Sequence, residues 1–353
     1  MKTQLIPHPS RSIPVALTDA IHGLSADAER SGSLHPRQLA LIYEQRWFSL
    51  FVPRSYGGLE MSLPEGLRIE EGLAWADGST GWTVTLCSGA NWFIGFLRPE
   101  LAKQLFGDQR VCFAGSGRAS GVAKIVAGGY EISGRWRYAT GAPHATAFTA
   151  NCRIEKNGTF LQDDKGNPLV YAFLFTRAEI IIHEDWHSIG MVATASHSFE
   201  VKDQQVTGDR CFRIDPDGPF LPQPIYRYPF LQFAEATLAV NSSGMAARFI
   251  DLCGRIGPER TKDANNRLQG WREVFYEAVE ASWQECAKGD PLPPGLLQAV
   301  STASRRLAAE ARRMVDELYP WCGIAAANPD TQINRVWRDL HTASQHSLLT
   351  LGA

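Results

Sequence analysis

The sequence lacks any long apolar run. No stretch reaches the roughly 18 consecutive apolar residues that a membrane-spanning helix needs. Its first residues, MKTQLIPHPSRSIPVALTDAIHG, hold no apolar block behind a basic start, so no signal peptide is expected. Excess charge of one sign is also missing: 35 Lys and Arg face 37 Asp and Glu, for a net charge of −2. That balance argues against nucleic acid as the partner, because phosphate binding needs a strongly basic face. The seven cysteines stand at 87, 112, 152, 211, 253, 286 and 322, with no C-x-x-C pair among them. They are read as reduced thiols of a cytoplasmic protein, with no metal site expected. Equally absent are G-x-G-x-x-G, a Walker loop, H-E-x-x-H and G-x-S-x-G. The run Gly115-Ser-Gly-Arg-Ala-Ser-Gly121 places its third glycine one position too late for a dinucleotide loop.

What is present is apolar mass. Hydrophobic residues make up 44% of the 353 positions, with 10 Trp and 17 Phe, which excludes disorder as the main state. The charged share of 20% falls below the roughly 25% average, a sign of extra surface buried between subunits. Length suggests about two domains, but the pattern along the chain has three parts. Residues 1–108 read as helical, with Ser25–Arg30, Pro36–Tyr43 and Leu63–Ala76 carrying helix formers. Asp77–Trp82 breaks that pattern, and Ser79 or Thr80 suits a helix N-cap. Residues 109–215 hold six or seven short β-rich segments: Val111–Ala114, Val122–Val126, Tyr130–Tyr138, Ala145–Arg153, Leu169–Thr176, Ala178–His183 and Ser198–Lys202. Gly128-Gly129 and Asp163–Asn167 supply turns, and the spacing predicts a sandwich or barrel rather than βαβ units. From 216 to 353 the chain is helical again. Pro216–Pro229 is a proline-rich connection, Ala234–Cys253 is rich in small residues, and Gln298–Tyr319 and Ile333–Leu349 each show an apolar stripe.

Two segments have the residue types for chemistry. In Ile333–Leu349, helical spacing puts His341 beside the stripe of Trp337, Leu340, Ser344 and Leu348. It puts His346 on the opposite side, with Arg335, Asp339 and Thr342. That polar face is either solvated or lines a cleft in which Asp339 biases a histidine toward proton transfer. Periodicity does not choose between the two. In Arg135–His144, Trp136 is either a β-core residue or part of a wall against a planar ring, with the Thr140 hydroxyl bonding a ring heteroatom.

Several strings together resemble the acyl-CoA dehydrogenase superfamily, most closely its branch of flavin-dependent monooxygenases, the oxygenase components of two-component aromatic hydroxylases. Phe51-Val-Pro-Arg-Ser-Tyr-Gly-Gly58 is similar to the family's V-P-x-x-[YF]-G-G loop. Ala76-Asp-Gly-Ser-Thr-Gly-Trp82, followed by Ala90-Asn-Trp92, resembles a helix of that branch. Gly129-Tyr-Glu-Ile-Ser-Gly-Arg-Trp136 with Ala139-Thr-Gly141 is similar to its G-Y-x-[VL]-S-G-x-W…[ST]-G segment. Trp186–Ser196 resembles W-x-x-x-G-[ML]-x-x-T-x-S, and Trp337–His346 resembles W-R-D-x-H-x-x-x-x-H.

The resemblance implies an α+β chain. It would have an N-terminal helical domain (1–108), a middle β-sandwich or barrel that faces the flavin (109–215), and a C-terminal four-helix bundle (216–353). It implies a homotetramer or dimer, FAD or FMN as cofactor, a separate flavin reductase, and O2 with a small apolar or aromatic substrate. Carried over by position, His346 and Thr140 are the catalytic residues. Trp136, Thr140, Gly141, Thr194 and Ser196 contact the flavin, and Asn91, Trp92 and His341 lie near the substrate. The chain departs from the pattern in places. Val192 stands where many relatives have Arg, no R-x-[QF]-F-G string is visible in 254–275, and seven residues follow His346. Two other readings stay open: an acyl-CoA dehydrogenase with Glu235 as base, and a flavin-free, non-catalytic homologue.

Overall fold

The computed structural model describes residues 6–108, 110–215, 218–254 and 257–350. Helices α1 (Val15–Ser31), α2 (Pro36–Glu44), α3 (Leu63–Ala76), α4 (Gly78–Asn91) and α5 (Pro99–Leu105) come first. Helix α3 has the limits its apolar spacing suggests. Ser62 and Glu65 cap its first turn reciprocally, with Pro64 at an N-terminal position where no amide is needed. Asp77 ends it in extended backbone and then caps α4, accepting the Thr80 amide at 2.8 Å and the Thr80 hydroxyl at 2.7 Å. The cap is therefore Asp77, not Ser79 or Thr80. A carboxylate one residue before the helix reaches the N3 amide, and the two hydroxyls already lie inside the helix.

The middle segment forms β1 (Phe113–Val126), β2 (Gly129–Ala139), β3 (Ala147–Lys156), β4 (Thr159–Phe160), β5 (Val170–Thr176), β6 (Ile181–His183), β7 (His197–Thr207) and β8 (Cys211–Phe212). They build one sheet in the order β6-β7-β2-β1-β3-β5-β8, with β4 on β3; β1 and β3 run parallel and the other pairs antiparallel. The glycine-rich run Gly115–Gly121 lies inside β1, at a register shift between Ser116 and Gly121, so it is a bulged strand and not a phosphate loop. Three strand spacings separate β3 from β7, and three separate β2 from β5, about 14 Å in a flat sheet. Yet Phe148 of β3 meets Phe199 of β7 at 5.0 Å, and Tyr130 of β2 meets Phe173 of β5 at 5.0 Å. The single sheet therefore curls around a core of its own, centred on Trp136, Phe148, Phe173 and Phe199.

Helices α6 (Phe230–Gly254), α7 (Pro258–Lys288), α8 (Pro294–Leu318), α9 (Ile324–Ala327) and α10 (Gln332–Ala343) follow. They share one apolar core with the first helices. The α3–α6 contact is close because Gly244 has no Cβ, which would fall 2.3 Å from the Glu71 carbonyl oxygen. Glu71 of α3 is pinned from this side by Arg272 at 2.8 Å, the Tyr276 hydroxyl at 2.9 Å and the Ser243 hydroxyl at 2.6 Å. In the proline-rich connection, Pro216 and Asp217 lie outside the described residues. Tyr226 and Tyr228 beyond them are fully buried, so this stretch belongs to the core. Helix α10 stops at Ala343, short of the Leu349 that its stripe suggests, and a 3-10 turn over Ser347–Leu349 follows. Among the described residues no helix is long and apolar enough to cross a membrane.

Candidate functional site

A cavity of about 230 Å³ lies where α4, α6, the sheet and the segment after α10 converge. Helix α4 lines it with Thr85, Leu86, Gly89 and Ala90, and Phe93 follows; α6 lines it with Phe230, Phe233, Ala234, Thr237 and Leu238. Both sets are single helical stripes at i, i+3, i+4 and i+7. The sheet adds Gly115 and Gly117 from β1 and Thr149 and Asn151 from β3, and Thr140 follows β2. A larger depression of about 780 Å³ between Arg46, Tyr56 and Lys103 is lined by Ser55, Tyr56 and Gly57 of the Phe51–Gly58 string, but by none of the expected catalytic, flavin or substrate residues.

His346 lines the cavity. It does so because α10 has ended: Ser344 caps the helix, His346 is extended (φ −67°, ψ 129°), and its Nδ1 accepts the Leu348 amide at 3.3 Å. With Nδ1 accepting, the proton of the neutral ring sits on Nε2. The Trp82 ring meets the imidazole edge-on at 6.0 Å. Burial holds the His346 pKa below the ordinary 6.5. Asp339 does not pair with it. Asp339 is buried and accepts the Met191 amide at 2.6 Å, and burial raises its carboxyl to about 7.

Thr140 also lines the cavity. Its hydroxyl shares a hydrogen bond with Ser196 at 2.8 Å, and Ser196 shares another with Thr194 at 2.8 Å. The Gly141 amide donates to the Thr194 carbonyl at 2.9 Å, and its φ of +76° suits a residue without a side chain. This hydroxyl chain is anchored to α10. The Thr194 hydroxyl donates to the Met191 carbonyl at 2.8 Å, Arg338 donates to the Ile189 carbonyl at 2.6 Å, and Asp339 takes the Met191 amide. Gly190 allows that docking, since a Cβ there would lie 2.1 Å from the Arg338 carbonyl oxygen. Two strings distant in sequence, Trp186–Ser196 and Trp337–His346, thus form one support for Thr140, leaving Thr194 and Ser196 behind the cavity wall.

Other residues singled out from sequence stand elsewhere. Trp136 is a β-core residue: it stacks on Phe199 at 5.2 Å and donates its indole N–H to the Asn151 carbonyl at 2.9 Å. Asn91 ties the helical layer to the sheet, donating to the Phe48 carbonyl at 2.9 Å and accepting the Phe113 amide at 2.8 Å. Trp92 is fully buried, with its N–H on the Ile225 carbonyl at 3.0 Å. Each helical step turns about 100°, so Asn91 and Trp92 leave the stripe that Ala90 and Phe93 occupy. His341 faces away from the cavity, with Nδ1 2.7 Å from the Trp337 carbonyl and Nε2 2.8 Å from Asp316. Glu235, the base of the dehydrogenase reading, is turned to Arg305 at 3.2 Å while its neighbours Ala234 and Thr237 line the cavity. Sequence reasoning missed Phe93, Phe230 and Phe233, although their helical spacing was a usable signal.

Behind Thr85 lies a buried polar group that the sequence did not reveal. Asn241 donates to the Thr85 hydroxyl at 2.8 Å. Glu70 of α3 is completely buried, accepts the Ser88 hydroxyl at 3.1 Å and has no partner on Oε2. Burial raises its carboxyl to about 8, partly offset by the Ser88 and Thr85 hydroxyls.

Comparison with known proteins agrees with this architecture. A family model described as acyl-CoA dehydrogenase, C-terminal domain, matches residues 260–350. An indole-3-acetate monooxygenase of Pseudomonas putida is 30% identical over 324 residues, covering 86% of this chain and 80% of that one. The oxygenase subunit HsaA, a flavin-dependent monooxygenase of Mycobacterium tuberculosis, is 24% identical over 330 residues, covering 85% of this chain and 82% of its own. The HsaA crystal structure superposes with a TM-score of 0.88 at 21% identity, covering 97% of this chain and 93% of that one. XiaF from Streptomyces, solved with FADH2 and glycerol, gives 0.81 at 22% identity, covering 95% and 91%. The chain belongs to the acyl-CoA dehydrogenase superfamily, in its branch of flavin-dependent monooxygenases.

Proposed function

We propose that this protein is an oxygenase component that inserts one atom of O2 into a neutral aromatic or heteroaromatic molecule, using reduced FAD or FMN from a separate flavin reductase. The observation that carries the substrate class is the lining. Phe93, Phe212, Phe230 and Phe233 face the cavity, no Arg or Lys does, and His346 is its one ionisable group among the described residues. A carboxylate there would lose its hydration without a cation to replace it. The reading therefore favours an uncharged ring over an arylacetate such as the substrate in the P. putida relative's name.

The residues present suit a flavin ring. Gly115, Gly117, Ala114 and Ala172 leave a flat wall, while Thr140, Thr149 and Asn151 offer polar atoms at its edge. The volume of about 230 Å³ is below the roughly 300 Å³ of a typical whole-ligand pocket, so a ring system fits and the remainder of the cofactor would lie outside. The bound flavin supplies two electrons; with two protons, O2 and substrate give hydroxylated product and water. His346, as the Nε2–H donor, holds a proton at the cavity wall. Thr140, held by Ser196, orients a polar group against the ring edge. The aromatic walls exclude water, which limits loss of the oxidising equivalent as H2O2. The name "oxygenase subunit" of the M. tuberculosis relative supports a separate reductase. The low charged share supports a homo-oligomer, tetramer or dimer, and the cysteine usage a cytoplasmic setting.

The test is to mix purified protein with chemically reduced FAD or FMN, add 18O2 and a panel of neutral and carboxylated aromatics, and measure product mass and H2O2. One 18O atom should enter a neutral member of the panel. His346→Ala should convert most of that yield to H2O2 while the protein stays folded. If flavin reoxidation and peroxide yield match those of a protein-free control across the panel, the reading fails.

A further inference from the structure

Behind Thr140, on the side away from the cavity lining, three side chains converge from three segments. Cys87 comes from the middle of α4, Cys112 from the lead into β1, and His144 from the loop after β2. Their Sγ, Sγ and imidazole nitrogen atoms lie within 4.8 Å of one another. Cys87 and Cys112 are fully buried. His144 Nε2 is shielded from water and has no hydrogen-bond partner, an arrangement that costs free energy unless something binds it. The Phe48 ring stacks on the imidazole at 5.6 Å and 15°, which fixes its plane. The backbone is shaped around the same spot: Gly141 has a positive φ, and a Cβ there would sit 2.8 Å from His144 Nε2 and 3.0 Å from Cys87 Sγ.

We propose that Cys87, Cys112 and His144 bind one thiophilic metal ion, zinc(II) being the candidate, which ties α4 to the sheet directly behind Thr140. Two thiolates and an imidazole are the donors such ions select. Zinc bonds of roughly 2.3 Å to sulfur and 2.0 Å to nitrogen put ligand atoms about 3.5–3.8 Å apart. The cluster is within an ångström or so of that, a gap that side-chain rotation closes. A fourth position stays free for water or a carbonyl oxygen; the Thr140 carbonyl is 3.6 Å from Cys87 Sγ. The site leaves no sequence signature because its ligands are 25 and 32 positions apart, and only the packing of α4 on the sheet joins them. Binding would release the thiol protons to solvent and stiffen the loop that carries Thr140.

The test uses the full-length protein, reduced and freed of metal with a chelator, then titrated with cobalt(II) and back-titrated with zinc(II). One equivalent of cobalt should bind with a thiolate-to-metal charge-transfer band, which zinc bleaches. Cys87→Ser should abolish the band, and Cys253→Ser, in the separate Cys253–Cys322 pair, should leave it. His144→Ala, at a half-buried position, keeps the test decisive if Cys87→Ser does not fold: zinc affinity should fall at least tenfold. Absence of the band in the wild-type protein overturns the proposal. So does a band that survives both Cys87→Ser and His144→Ala, or one lost only in Cys253→Ser.

Discussion

Replacing Glu70 with Gln tests whether the buried group behind the cavity is a neutral acid. Glu70 is fully buried, hydrogen-bonded by Ser88, and pairs with no cation among the described residues. Its carboxyl moves from the ordinary 4.5 to about 8 because burial penalises the charged form. Between those values the folded protein holds a proton that the unfolded chain has released. Stability is therefore full below about pH 4.5, declines as pH rises, and levels off above about 8. Each pH unit of that interval is worth about 1.4 kcal/mol, so roughly 5 kcal/mol is lost across it. Gln keeps the shape and the Ser88 acceptor but does not titrate. The assay is urea unfolding of wild type and Glu70→Gln from pH 5 to pH 9. Asp339, raised to about 7, titrates in both proteins and cancels in the difference. Glu70→Gln should be close to wild type at pH 5 and more stable by several kcal/mol at pH 9. Parallel profiles would show instead that Glu70 finds water or a cation in solution and is ionised in the folded protein.

Three further outcomes are expected. Gly89→Ala adds a methyl 3.7 Å from Phe233 in the cavity wall; it should stabilise α4 by up to about 1 kcal/mol and raise KM for the bulkiest substrates only, checked by calorimetry and steady-state kinetics. Asp339→Ala leaves the buried Met191 amide unpaired, at a cost of about 1–3 kcal/mol, and should loosen Thr140 enough to lower the coupled yield, whereas Asp339→Asn should restore much of both. Because burial lowers the His346 pKa, the ring stays neutral below the usual 6.5. Its contribution to stability is present above 6.5 and lost as pH falls through the folded value. The acid limb of coupled turnover should accordingly lie below pH 6.5 and vanish in His346→Ala.

Features that rest on neighbours in the chain were legible before any folding. The limits of α3 follow from Ser62, Pro64, Glu65 and the apolar spacing. The turn at Gly128 follows from its freedom to take a φ of +83°. The helical–β–helical order and six of the eight strands are likewise local patterns, whereas the two-residue β4 and β8 lie outside the expected segments because only pairing with a neighbouring strand defines them. Sequence also marked His346 and Thr140, the two residues of its catalytic pair, and both line the cavity. Asn91, Trp92 and His341 stay off the cavity lining because a rotation of about 100° per residue separates the cavity stripe from the next face, and only the packing of α4, α6 and α10 says which face is inward. Sequence extended α10 past Ala343 because the apolar spacing continues, whereas the chain turns there so that His346 can reach the cavity. It read seven scattered cysteines where packing gathers two of them around His144, and it gave no sign of Glu70, which packing buries completely. Burial and the meeting of distant segments are properties of the packed chain, and pKa shifts and ligand clusters follow from them; they are decided only when the helices close on the curled sheet.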